Sequence, residues 1–174
     1  MIFPPFITDC HTHRPNARGA IINAVTGDDA SMRPDLYYSV GIHPWDTLTA
    51  TGADWEWVTR QAALPNVLAI GETGLDPMRG ATLDLQEQWL RRHIGLSEAT
   101  GKPLILHVVR RADDILRLHR ELRPRQPWIW HGFRGNAVQA RQLTDNGLYL
   151  SLGKRFNPDV PLVVDPSRLL AETD

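Results

Sequence analysis

The sequence predicts an α/β fold, a shortened (β/α)8 TIM barrel, and three observations support that prediction. Eight short apolar stretches recur along the 174 residues, at 6–11, 19–25, 36–42, 66–72, 102–108, 127–133, 147–153 and 168–174. They are continuous rather than alternating, as in strands of a parallel sheet whose outer face is covered. Helical segments separate the later strands, and repeated strand–helix–strand units imply right-handed crossovers. Eight parallel strands close most economically into a barrel.

Four helices are predicted between the later strands. They cover residues 54–64, 83–101, 111–123 and 136–147. Gly101 and Gly147 occupy C-terminal stop positions of two of them. The short stretch between His13 and the third strand leaves no room for two crossover helices. We therefore expect loops or single turns after the first two strands, and no covering helix after the eighth.

Length, charge and cysteine content restrict the class of protein. A chain with 42% hydrophobic and 22% charged residues is expected to form one globular domain over residues 1–174. The formal charge of −1 provides no general attraction for a polyanion, so nucleic acid would need a local basic patch or a bound metal. Cys10 is the single cysteine, and the N-terminus lacks the features of a leader. We expect a cytoplasmic monomer without membrane contact.

Polar side chains concentrate at the C-terminal ends of the predicted strands, which open into one mouth in a barrel. They comprise five histidines and two carboxylates, namely His11, His13, His43, Glu72, His107, His131 and Asp174. Imidazole and carboxylate are common ligands of Zn²⁺, Mn²⁺ and Fe²⁺. A hydrogen-bonded polar cluster without metal is the alternative. Burial of the carboxylates without a counter-charge would be costly, which favours a metal site. His93 and His119 lie within helices and are expected to face solvent.

The motifs HTH, GIHP, GETGLD, LILHVVRRADDIL, WHGFRGN, LSLG and the terminal ETD occur in an order that resembles the TatD family of metal-dependent hydrolases. The resemblance extends over almost the entire chain. It implies an amidohydrolase-like barrel with two divalent cations (Mg²⁺, Mn²⁺ or Zn²⁺) and hydrolysis of DNA phosphodiesters. In the implied ligand set, Glu72 bridges the cations. One cation is held by His11, His13 and Asp174, and the other by His107 and His131. His43 is usually not a ligand in this family, so we place it near the substrate or behind the ligands.

The predicted mechanism is a two-metal hydrolysis. When bound, two cations would supply an acidified water and positive charge for the phosphoryl oxygens. Asp174 is the predicted base, and Glu72 is the other predicted catalytic carboxylate. Eight basic residues follow strand ends closely: Arg14, Arg18, Arg79, Arg110, Arg111, Arg134, Lys154 and Arg155. The predicted substrate is DNA, as single strands or strand ends. Its predicted contacts in the cleft are His43, Arg110, Arg134 and Lys154. Trp45 and Phe133 are predicted to stack on bases.

Two other functions are compatible with these residues. The same metal site would suit hydrolysis of a carbonyl bond, such as an amide or the ester of an aminoacyl-tRNA. The chain would also suit a non-catalytic remnant that folds and binds metal without turnover. Because Asp174 is the last residue and a proposed ligand, we expect the sequence to be C-terminally truncated, with at least one further helix in the natural protein. The basic residues at the mouth favour a phosphate substrate.

Overall fold

The computed structural model describes residues 2–174 and contains eight parallel strands, each paired with the next in chain order. The strands are β1 (Asp9–Thr12), β2 (Ala20–Asn23), β3 (Tyr37–Val40), β4 (Val67–Leu75), β5 (Leu104–Val108), β6 (Trp128–Trp130), β7 (Tyr149–Leu152) and β8 (Leu169–Ala171). Just beyond β8, the amide of Thr173 donates to the carbonyl of His11 at 3.3 Å, which brings the last strand beside the first. The ring is therefore nearly closed, and the predicted TIM barrel is confirmed.

The four predicted helices are present, with ends that differ by a few residues from the prediction. The helices are α1 (Gly52–Ala62), α2 (Leu83–Thr100), α3 (Ala112–Leu122), α4 (Ala137–Asp145) and the short α5 (Val160–Val163), which the sequence did not predict. As expected, the described chain has no helix between β1 and β2, and only a single 3-10 turn (Asp29–Ser31) follows β2. Among residues 2–174, no helix has both the length and the apolar composition needed to cross a bilayer.

Local signals determine where the longer helices begin and end. Helix α1 starts with a capping box, in which Thr51 and Asp54 satisfy each other's backbone amides. Helix α2 ends at Gly101, whose φ of 67° lies in the left-handed region that glycine adopts without strain. These signals fix the length of each crossover and thereby the position of the strand that follows.

Alternation along the strands separates two hydrophobic layers. In β5, Leu104 and Leu106 belong to the larger buried cluster that packs strands against helices, whereas Ile105 belongs to a second cluster with Ile21 and Ile129. Successive side chains of a strand point to opposite faces, so His107 shares the inner face with Ile105. The inner apolar layer thus lies beneath the polar residues at the strand ends.

His93 is buried, so the prediction that it faces solvent was wrong. Its side chain is fully enclosed in α2, where Nδ1 donates to the carbonyl of Trp89 at 2.7 Å. Nε2 accepts from the amide of Ile42 at 2.9 Å, just beyond β3. The charged neighbours in sequence misled the prediction because they occupy other faces of the helix. His119 is half-buried and meets the edge of Trp128, so it does not simply face solvent either.

The enclosed His93 should make folding stability depend on pH. Burial lowers its pKa from 6.5 to about 4, so the folded state binds this proton less readily than the unfolded state. The contribution of the neutral imidazole to the free energy of unfolding is fully present above pH 6.5 and is lost as the pH falls towards 4. Between pH 7 and 4.5 the loss should be about 2–3 kcal/mol. Urea unfolding of the wild type and of His93→Gln at both pH values measures this loss, because the variant lacks the contribution of His93. An identical pH dependence in both proteins would contradict the lowered pKa of His93.

Candidate metal centre

Glu72 lies at the centre of the barrel mouth because β4 continues past it. The strand runs to Leu75, three residues further than the sequence predicted, and only 2% of Glu72 is exposed. Its backbone amide donates to Oδ1 of Asn23 at 3.0 Å, which anchors the residue to β2. At Gly71 a side chain would overlap the carbonyl of Ile105 on β5. The glycine therefore permits the close strand approach that places Glu72 among the histidines.

Five imidazoles surround the Glu72 carboxylate, divided between its two oxygens. Oε2 lies 3.3 Å from Nε2 of His11 and 3.3 Å from Nε2 of His13. Oε1 lies 2.7 Å from Nε2 of His131, 3.0 Å from Nδ1 of His107 and 3.1 Å from Nε2 of His43. The ring centroids of His11 and His131 are 4.3 Å apart, so the two groups adjoin. A carboxylate with one oxygen towards each group is placed as a bridge between them.

Glu72 and the histidines around it shift one another's pKa values. Burial by itself would raise the pKa of Glu72, but the imidazoles of His107, His11 and His13 outweigh it and hold that pKa well below its usual range. The neighbouring Glu72 carboxylate raises the pKa of His13. Burial lowers the pKa of His107, yet the same carboxylate reverses this and raises it. Glu72 is therefore an anion that requires positive charge beside it.

The donor set fits divalent cations. Two donors bound to one cation at about 2.1 Å lie about 3.0–3.4 Å apart, which matches most of the distances around Glu72. Both ring nitrogens of His11 and Oε2 of Glu72 are buried without a hydrogen-bond partner in the described chain. There are three sets of residues in which the donor atoms of a set all lie within 4.8 Å of one another. The sets are His11, His13 and Glu72; His11, His131 and Asp174; and His43, Glu72 and His107. A cation would pair with Oε2 of Glu72 and with the one ring nitrogen of His11 that carries a lone pair.

His43 contacts the cluster as a hydrogen-bond donor. Its Nδ1 accepts from the amide of Trp45 at 3.1 Å, which leaves the proton on Nε2 in the neutral ring. That Nε2 faces Oε1 of Glu72 at 3.1 Å. In that tautomer Nε2 has no lone pair for a cation, so Glu72 and His107 are the possible ligands of the third group, and His43, which also lines the main cavity, hydrogen-bonds to the carboxylate.

Asp76 is a functional residue that the sequence prediction missed. Its carboxylate faces Nε2 of His107 at 3.3 Å and accepts from the indole N–H of Trp45 at 2.6 Å. Gln86 accepts from the Asp76 amide at 2.7 Å and fixes the turn. A proton on Nε2 of His107 leaves Nδ1 free to bind a cation, an arrangement that orients metal-bound histidines. The aspartate of GETGLD was the available signal.

Glu172 is the second missed residue. It is 6% exposed and accepts from the amide of Gly132 at 2.9 Å and from the hydroxyl of Ser151. Its Oε2 lies 3.8 Å from Nδ1 of His131. The first residue of the ETD motif thus supports the turn that carries His131, whereas the prediction considered only its last residue.

Asp174 lies at the rim, with Oδ1 3.4 Å from Nε2 of His13 and 3.8 Å from that of His11.

The basic residues of the mouth divide into bound and free groups. Arg18 pairs with Asp35 at 3.1 Å, and Arg111 lies 3.8 Å from Asp114. Arg14 donates to the hydroxyl of Thr173 at 2.8 Å. Within the described part of the chain, five of the eight side chains have no carboxylate or hydrogen-bond partner: Arg79, whose guanidinium lies over the ring of Trp45, and Arg110, Arg134, Lys154 and Arg155.

The structure places two of the predicted substrate contacts outside the main cavity. Phe133 is 1% exposed and packs edge-on against Trp130, so the prediction that it stacks on bases was wrong. Its ring belongs to the larger buried cluster, which also contains Ala140 and Leu143 of α4. Arg110 lines a separate depression between α3 and α4. The main cavity, of about 640 Å³, is lined by Trp45 and by the side chains of the metal centre.

Comparison with known proteins yields one family. A family model described as TatD related DNase matches residues 23–174. The chain is 33% identical over 153 residues to "Uncharacterized metal-dependent hydrolase TatD" of Mycobacterium tuberculosis, covering 80% of this chain and 58% of that protein. It is 27% identical to "3'-5' ssDNA/RNA exonuclease TatD" of Citrobacter rodentium, covering 83% and 59%. The chain thus spans under two thirds of these relatives. The crystal structure of YJJV, a TatD homolog from Escherichia coli, superposes with a TM-score of 0.75 at 26% identity, covering 89% of this chain and 66% of that one.

Removal of the Glu72 charge should abolish cation binding. At a concentration 100-fold above Kd, a cation should stabilise the wild type by about 2.7 kcal/mol, seen as a rise in Tm. Glu72→Gln should show no such rise with Mn²⁺ or Zn²⁺, because it loses the anion between the two histidine groups. Glu56→Gln, an exposed position on α1, is the matched control and should respond like the wild type. Equal stabilisation of both variants would contradict the assigned centre.

Asp76→Asn should weaken cation binding without abolishing it. The amide retains the shape of Asp76 but no longer draws the proton of His107 to Nε2, so affinity should fall about 10- to 100-fold. Calorimetric titration with Mn²⁺ measures this, with Asp84→Asn in the first turn of α2 as the control. Unchanged affinity in Asp76→Asn would show that Asp76 does not orient the ligand.

Proposed function

Because this chain belongs to the TatD-related DNase family, we propose that it is a metal-dependent hydrolase that cleaves phosphodiester bonds of DNA, with single strands or ends as substrate. The observation that carries the proposal is the division of the Glu72 carboxylate between two groups of imidazoles. A relative is named as an exonuclease on single-stranded DNA and RNA, which supports the substrate class. A cytoplasmic location and a monomeric state remain predictions.

We assign the residues to two divalent cations as follows. His11, His13 and Asp174 would hold one, His107 and His131 the other, and Glu72 both. Bound there, the cations would supply an acidified water and positive charge for the phosphoryl oxygens. Their identity as Mg²⁺, Mn²⁺ or Zn²⁺ is part of the test, because this ligand set suits several metals.

The protein's own residues would position the reactants and accept a proton. Asp174 is the proposed base: it is partly exposed at the rim, beside the main cavity, and its Oδ1 lies within 3.8 Å of both His11 and His13. Glu72 is enclosed and surrounded, so it would hold the cations rather than exchange protons with solvent. His43 and Asp76 would fix the orientation of Glu72 and His107.

Basic side chains beside Asp174 support a nuclease over a carbonyl hydrolase. Arg134 and Lys154 line a small cavity that Asp174 also borders. Guanidinium and ammonium groups there suit the phosphates of a bound strand. Arg110 would meet a longer strand at the outer rim, beyond the main cavity.

The protein should degrade a single-stranded oligonucleotide in the presence of Mn²⁺, Mg²⁺ or Zn²⁺, and chelator should stop the reaction. At saturating cation, Asp174→Asn should lower kcat about 10²–10⁴-fold with a smaller change in KM, because the amide cannot accept the proton although its oxygen can still bind a cation. Glu72→Gln should be inactive, and purified identically it controls for contaminating nucleases. Asp145→Asn, at an exposed position of α4, should behave like the wild type.

Three results would contradict the proposal. Cleavage that persists in chelator would exclude a metal-dependent reaction. Tight cation binding without turnover of DNA would favour a non-catalytic remnant, and turnover of carboxylic esters or amides alone would favour the carbonyl hydrolase.

A further inference from the structure

Two cavities of opposite charge meet at Asp174. The main cavity of about 640 Å³ extends from the metal centre towards β2, β3 and the start of α1, and its described lining contains no lysine or arginine. Its walls include apolar and aromatic groups (Ala24, Val25, Ile42 and Trp45) and the carboxylate of Asp46. The second cavity, of about 210 Å³, is lined by Arg134, Lys154 and Arg155. The cleft is therefore polarised across the metal centre.

Trp45 is a fixed aromatic surface on the main cavity. Its indole N–H donates to Asp76 at 2.6 Å, and the guanidinium of Arg79 lies 4.1 Å from the ring centroid. The ring of His43 meets it edge-on with centroids 4.8 Å apart. Although held at these points, Trp45 is 42% exposed. An exposed and immobilised indole suits stacking with a planar base at low entropic cost.

The second cavity suits phosphate groups. In the region that the structure describes, Arg134, Lys154 and Arg155 make no ion pair, so their charges are available to a ligand. They follow β6 and β7 on the side of the metal centre away from Trp45. The main cavity is lined by Asp46 and Asp54 and by no lysine or arginine, and the nearby guanidinium of Arg79 is stacked on the ring of Trp45, so this side is less favourable for phosphates beyond the one at the metal centre.

From this asymmetry we infer that the cleft binds a single strand in one orientation, with its terminal nucleoside against Trp45 and its following phosphates on Arg134, Lys154 and Arg155. The inference rests on the proposed function, since it assumes a nucleic acid strand whose first phosphodiester lies at the metal centre. A neutral nucleoside suits the main cavity, whose lining has no lysine or arginine. The negatively charged remainder of the strand suits the second cavity, which is lined by Arg134, Lys154 and Arg155. The cavity volume lies within the range of about 300–1,000 Å³ that encloses small ligands.

Binding to uncleavable strands tests the basic side independently of turnover. A fluorescein-labelled hexanucleotide with phosphorothioate linkages keeps its charge, and anisotropy gives Kd for the metal-loaded protein over a range of salt concentrations. Lys154→Gln/Arg155→Gln should reduce the slope of log Kd against log salt by about 1.4, since each phosphate contact contributes about 0.7 for single strands. Arg120→Gln/Arg141→Gln removes two exposed arginines of α3 and α4 and should leave the slope unchanged.

Matched substitutions of Trp45 test the nucleoside side. The same hexanucleotide is compared with versions that lack the base at one end or the other. The wild type should bind the complete strand more tightly than one of these abasic strands, by about 5- to 100-fold. Trp45→Phe keeps an aromatic ring but loses the N–H to Asp76, and should retain this preference. Trp45→Ala should reduce it to about one, because no ring remains.

The outcomes separate this inference from the proposed function. Equal loss of base preference in Trp45→Phe and Trp45→Ala would show that Trp45 acts only through Asp76, and would overturn the nucleoside site. An unchanged salt slope in Lys154→Gln/Arg155→Gln would overturn the phosphate site. Either result leaves chelator-sensitive cleavage of DNA, and thus the proposed function, intact. Failure of the wild type to cleave DNA would instead overturn the nuclease, whatever the binding measurements give.

Discussion

The structure at the barrel mouth depends on one buried anion. Glu72 carries its charge into a nearly solvent-free position, where a carboxylate is stable only with positive charge or donors on every side. Five imidazoles meet that requirement in part, yet His11 and one oxygen of Glu72 are left without hydrogen-bond partners in the described chain. Such a shell is incomplete as a hydrogen-bonded core, and its donor atoms suit a metal ion. This incompleteness separates a metal centre from a polar cluster.

The barrel holds this arrangement through layers of support. Asn23 anchors the backbone of Glu72, Asp76 orients His107, and Glu172 secures the turn after β6. His93 ties α2 to the end of β3 from outside the sheet. Each of these groups is polar and hydrogen-bonded, all but the half-buried Asn23 are buried, and none is among the proposed ligands. The apolar layer of the barrel interior lies beneath them, so the centre is held by packing below and hydrogen bonds around it.

The errors of the sequence analysis have a common physical origin. His93 was placed in solvent and Phe133 at the rim because their neighbours in sequence are polar, but the direction of a side chain depends on helix rotation and strand-end packing. Asp76 and Glu172 were missed because each supports a histidine proposed to bind metal and is not itself a proposed metal ligand. Their motifs were recognised, yet only contact with His107 or the turn after β6 reveals what each carboxylate does.

The sequence by itself determined the eight strands, the four main helices, the reduced connections after the first two strands and the seven polar groups at strand ends. It could do so because periodicity, stop signals and strand alternation are local properties of the chain. Tertiary structure alone decided which oxygen of Glu72 faces which histidines, which nitrogen of His43 carries its proton, and which basic side chains are free. Those features depend on distances between residues far apart in sequence, which closure of the ring brings within a few ångströms of one another.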